Sequence, residues 1–121
     1  ARIAVIAHEM GHFLGLPDLY DGAGGQGIGR FDMQGQCWGW KRNQLYPPLL
    51  GAWSKLKLKW VKVTDIQASG NYVAGPSCTS DQIFRVSDNM PPGEYFLIEN
   101  RFGCGFDAEL SPKKRERYRG G

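Results

Sequence analysis

His8-Glu9-Met10-Gly11-His12-Phe13-Leu14-Gly15-Leu16-Pro17-Asp18 is the segment on which the rest of the chain hangs. Residues four apart share one face of an α-helix, so His8 and His12 can both point at a single ion. Neutral imidazole nitrogen suits zinc, and a catalytic zinc takes three protein ligands with one position left open. Glu9, beside His8, can reach a water at the open position without binding the metal, and there it would serve as general base. The chain has only 2 histidines, and both are used. The third ligand is therefore a carboxylate or lies outside the chain. Gly15 allows the backbone to turn sharply, and Asp18 follows three residues later, where the turned chain can present an oxygen to the same ion. The spacing is H-E-x-x-H-x-x-G-x-x-H with Asp in the last place.

Other roles exist for these residues. Two histidines one helical turn apart occur as polar members of a core, and an aspartate after Pro17 suits a turn. Yet the helix is apolar apart from Arg2, His8, Glu9 and His12. Burying polar groups without partners is costly, and an ion supplies partners.

The pattern predicts a helix over 2–14, apolar on every side and hence buried, closed by Gly15 and Pro17. A Gly-rich loop follows, with Gly22, Gly24, Gly25, Gly27 and Gly29 close together. Leu49, Leu50, Ala52, Trp53 and Leu56 recur at helical spacing after Pro47-Pro48, giving a second helix over 48–58. Beyond Trp60 come short β-branched or aromatic runs, Val61–Ile66, Asn71–Ala74, Gln82–Ser87 and Glu94–Glu99. Gly70, Gly75-Pro76 and Pro91-Pro92-Gly93 separate them. The expected class is α+β, two helices followed by short antiparallel strands. Residues 1–60 carry the site, 61–110 the strands and 111–121 a basic tail.

The length of 121 residues fits one domain, and 41% hydrophobic with 22% charged residues is ordinary for a globular chain. The net charge of +3 is concentrated in Lys113, Lys114, Arg115, Arg117 and Arg119. Such a run reads as a solvated tail before it reads as a nucleic-acid surface, and no nucleic-acid motif accompanies it. No apolar run is long enough to span a bilayer. Cys37, Cys78 and Cys104 lack C-x-x-C spacing, which leaves open one disulfide with a free thiol or three reduced thiols. Asp21 and Asp32, flanking the Gly-rich loop, suggest a calcium site, but a turn explains Asp21-Gly22 as well. Trp38, Trp40, Trp53 and Trp60 are expected in packing, with some free to floor a substrate pocket. The chain opens on Ala1 inside an apolar run and ends on Gly120-Gly121, so a piece of a larger catalytic domain is expected, truncated at both ends.

The runs HEMGHFLGLPDLYD (8–21), GIGRFDM (27–33), CWGW (37–40) and PPLLGAWSKLKLKWV (47–61) resemble the immune-inhibitor-A family of secreted zinc metallopeptidases. EYFLIENR (94–101) and GFDAEL (105–110) resemble the segment that follows in that family. The likeness runs over roughly 4–110, and the first motif with its Leu-Pro-Asp ending is its specific part. The resemblance implies a metzincin-like catalytic domain, extracellular, that hydrolyses peptide bonds of a protein or peptide substrate. It implies zinc on His8, His12 and Asp18, with Glu9 catalytic, and a bordering sheet supplied upstream. It also implies a methionine in a tight turn beneath the metal, four or five positions before Trp38. Met33 is the candidate; if the nearer position is the true one, Gln34 stands in its place. The alternative function is a catalytically inactive relative acting as a binding module, against which the intact Glu9 speaks. A serine or cysteine hydrolase fails because both histidines would have to leave the metal face.

Overall fold

The computed structural model describes residues 2–39 and 44–110. The basic run Lys113–Arg119 and Trp40 lie outside them. In chain order the elements are α1 (Ile3–Phe13), a 3-10 turn (Gly29–Phe31), α2 (Ala52–Lys57), β1 (Lys62–Asp65), β2 (Gln82–Val86), β3 (Phe96–Ile98) and a second 3-10 turn (Gly105–Leu110). This is a small α+β arrangement with a three-stranded mixed sheet.

The end of α1 follows from Gly15. At φ +93 it enters the left-handed region that side chains resist. The Gly15 N–H then donates to the His12 carbonyl at 2.9 Å, and the Leu16 N–H donates to the Gly11 carbonyl at 3.0 Å. These two bonds form a Schellman motif, with Leu16 buried beyond it. The chain is thereby reversed and sent back along its own helix.

Contrary to the expectation of a buried helix, α1 buries one stripe, Ala4, His8 and Gly11. Ile3, Ile6, Met10 and Phe13 line the opposite face and are exposed, Phe13 by 89%. No element among the described residues packs on that face. The second helix is also shorter than expected, 52–57 instead of 48–58. Pro48 is buried outside the helix, and Gly51 stands at the N-cap in extended conformation with φ −74 and ψ 171. The first helical donors are taken from outside: Gly51 N–H by Asp32 and Ala52 N–H by Glu99.

The strands are not all antiparallel. β1 pairs with β2 in parallel, Lys62 opposite Gln82 and Asp65 opposite Arg85, while β2 and β3 are antiparallel. A parallel pair needs a long crossover, and the connection 66–81 supplies it. That crossover contains Asn71–Ala74, which forms no strand. The segment is tied instead to the chain after β3, by the Pro76–Asn100 bridge, by Asn100 Nδ2 donating to the Ala74 carbonyl at 2.9 Å, and by the Cys78–Cys104 disulfide. Cys37 is a buried free thiol. Of the tryptophans, Trp38 and Trp60 are about half exposed rather than packed, and Trp53 lies beneath the Lys57 ammonium at 5.3 Å.

A polar interior joins sheet to helix. The Arg101 guanidinium grips Asp107 with two bonds, 2.7 and 2.8 Å, and reaches Glu99 at 3.2 Å and the Phe31 carbonyl at 2.6 Å. Glu99 in turn accepts from Lys55 at 2.7 Å. Asp107 is completely enclosed, and its charge with that of Glu99 holds Arg101 above the ordinary guanidinium value against the opposing effect of burial.

Candidate metal centre

His8 is buried on α1 and His12 is half-buried one turn later. The reversal at Gly15 brings Asp18 back to them. Asp18 Oδ1 lies 3.1 Å from His8 Nε2 and 3.2 Å from His12 Nε2, and the two nitrogens are 3.1 Å apart. Among the described residues this is the one group of three potential metal ligands in mutual reach. The three residues read as ligands from the motif are therefore brought together.

The far nitrogen of each ring faces a backbone carbonyl. His8 Nδ1 is 2.9 Å from the Met33 oxygen, and His12 Nδ1 is 2.8 Å from the Leu16 oxygen. A carbonyl oxygen only accepts, so each Nδ1 carries the proton and each neutral ring turns an Nε2 lone pair inward. Two lone pairs and a carboxylate oxygen then converge on one point, which is repulsive unless a cation or proton lies between them. Ligands about 2.0–2.1 Å from a tetrahedral zinc stand about 3.3 Å from one another. The observed triangle fits that spacing, and nitrogen with carboxylate oxygen is a donor set zinc accepts. In the metal-free chain the His12 imidazole is held above its usual range, first by its bond to the Leu16 carbonyl, then, against desolvation, by the charges of Asp18 and Glu9.

Glu9 is exposed beside the triangle, and its charge is felt at His12, Tyr20 and Cys37. Burial, the largest influence on it, pushes the Cys37 thiol up, and its sulfur is not among the ligand atoms that lie within mutual reach at the triangle.

Sequence reasoning did not single out Tyr20. Its ring stacks on His8, centroids 6.3 Å apart and planes 21° apart. Its interaction with the neighbouring Asp18 carboxylate raises the phenol above its ordinary value. The Leu-Tyr pair after Pro-Asp was visible in the sequence, but nothing in spacing alone reveals a partner two residues away.

The turn 32–34 supports the site from below. Met33 contributes its carbonyl to His8, and its side chain is half-buried. The fully enclosed side chain is that of Gln34, whose amide lies against Gly11 of α1. Asp32, considered for calcium, is completely buried as well. Its oxygens accept from Gln34 N–H at 2.8 Å, Gly51 N–H at 2.7 Å and Ser54 Oγ at 2.7 Å. Asp21 accepts from the Ala23 N–H at 2.9 Å, as a turn aspartate does. Neither arrangement favours calcium: the Asp32 oxygens are saturated by hydrogen-bond donors.

No protein-family model, no curated protein and no solved structure matches the chain. No helix among the described residues is long and apolar enough to cross a membrane.

Proposed function

We propose that this chain carries a hydrolytic metal centre of the HExxH class. More narrowly, it is a zinc-dependent endopeptidase akin to the immune-inhibitor-A family, and in keeping with that family an exported one. The observation that supports this is the convergence of His8 Nε2, His12 Nε2 and Asp18 Oδ1, with both histidine tautomers set by backbone carbonyls.

Zinc, when bound, would polarise the scissile carbonyl and lower the pKa of a coordinated water toward about 7. The remaining work falls to the chain. His8 and His12 hold their rings still through Met33 and Leu16, which keeps the ligand lone pairs aimed and raises their basicity. Glu9 takes a proton from the attacking water as the new C–O bond forms, then delivers it to the amine as the C–N bond breaks. Its exposure leaves it free to do so, since a base saturated by fixed donors could not accept.

The test is zinc stoichiometry by elemental analysis on the wild type and on His12→Ala, followed by peptide hydrolysis with Glu9→Ala as control. About one zinc per chain, lost in His12→Ala, with hydrolysis that vanishes in Glu9→Ala, is expected. Zinc without hydrolysis would favour a binding module. A folded wild type that takes no zinc would sink the proposal.

A further inference from the structure

The chemistry of hydrolysis does not call on Gln34, yet it is among the most enclosed side chains of the molecule. Its Nε2 donates to the His8 carbonyl at 2.8 Å. Its Oε1 is buried with no partner among the described residues. A buried oxygen without a donor lowers stability. An apolar side chain of similar length would fill the space without that loss, and the His8 carbonyl would still have its place in the helical ladder of α1. A destabilising polar group in a core is the kind of local inconsistency found at functional sites.

Its contacts show what it joins. A Cβ on Gly11 would fall 2.5 Å from both heteroatoms of the amide, so α1 rests directly on it. The Gln34 carbonyl accepts from the Leu19 N–H at 2.9 Å, next to Asp18. Its own N–H is fixed by Asp32. One residue therefore holds the helix that bears His8 with its side chain and the arm that bears Asp18 with its main chain.

We propose that Gln34 is a positioning residue of the metal centre, kept at the expense of fold stability because its amide sets the helix of His8 against the arm of Asp18. The inference rests on the metal-site reading above. Substituting Gln34→Met keeps the length and removes the amide. In the metal-free state its Tm should equal or exceed that of the wild type. Its zinc dissociation constant, measured by competition with a chromophoric chelator, should rise about 10-fold, in the range seen for residues that orient metal ligands. The visible spectrum of the cobalt-loaded variant should shift as well. A purely structural role would move Tm and affinity down together. Unchanged affinity and spectrum would overturn the proposal, and so would a variant that no longer melts cooperatively, since the amide would then be a necessity of folding.

If the wild type itself takes no zinc, the metal-site reading fails, and Gln34 is judged on the metal-free chain. The ¹⁵N shifts of the His8 ring should show a fixed Nδ1–H tautomer in the wild type and averaging in Gln34→Met. Identical ring shifts in both would then overturn the positioning role.

Discussion

His8 and His12 are held alike, each by one carbonyl, but the carbonyls have different origins. Leu16 lies four residues from His12 and is delivered by the turn at Gly15, so this contact is local. Met33 comes from a distant loop. The first was within reach of sequence reasoning, since a Gly C-cap implies a reversal; for the second, the resemblance offered Met33 as the turn beneath the metal, but no spacing rule connects its carbonyl with His8. Asp18 was legible from the motif spacing, whereas Tyr20, though only two residues further on, has no place in that spacing. Two substitutions separate their roles. Glu9→Gln should retain zinc and lose hydrolysis by about 10²–10⁴-fold, the usual weight of a general base, read as kcat at constant metal content. Tyr20→Phe removes only a hydroxyl from a ring that is 47% exposed, so Tm should hold while zinc affinity falls about 10-fold. Full affinity in that variant would show that the contact with Asp18 is incidental.

Between elements, the decisive contacts are polar and buried. Asp32 ties the turn under the site to α2, and Glu99, Arg101 and Asp107 tie α2 and its approach to the end of β3. Hydrophobic periodicity is silent about such ties, which is why α2 was placed too early and the strand pairing was read as antiparallel throughout. The helix begins where Asp32 and Glu99 supply acceptors, not where apolar spacing begins. Asp32→Ala should cost about 3 kcal/mol or more in urea unfolding, since each buried donor left without an acceptor costs about 1–3 kcal/mol. Arg101→Met should cost about 3–5 kcal/mol by leaving Asp107 enclosed and unpaired. A change under 1 kcal/mol, the usual effect at an open surface, would mean that water replaces the guanidinium. At the edges of the β1–β2 pair, Arg85 and Lys62 hold the Asp65 and Asp81 carboxyls below the usual carboxylate range through hydrogen bonds. Because these folded-state values are depressed, their contribution is present above the ordinary aspartate pKa. It fades as pH falls through the lower folded values, and in Asp65→Asn the acid limb of a Tm–pH curve should be shallower. Both pairs are exposed, so salt should weaken the effect.

Across the molecule, the balance of exposed and buried surface sets behaviour in solution. Periodicity correctly indicated an α+β chain, but the apolar sequence of α1 was read as that of a buried helix. The Ile3, Ile6, Met10 and Phe13 stripe stands open on α1, opposite the ligand-bearing face. An apolar patch of this kind drives association. The isolated chain should self-associate as concentration rises, seen by sedimentation velocity, and Met10→Glu with Phe13→Ser should suppress it without displacing His8. A wild type that sediments as a monomer at every concentration would contradict this. Reduction of Cys78–Cys104 should loosen only the crossover and the segment after β3, because no thiolate serves the metal triangle.

The three proposed ligands fall between residues 8 and 18, their supporting turn between 32 and 34, and the anchor of that turn at 51 and 54. Among the described residues, the contacts named for the site thus precede the first strand. The proposed ion-holding residues and their supporting turn form one continuous stretch of sequence set apart from the strands, so the strands can be altered in the laboratory while that stretch is carried over intact.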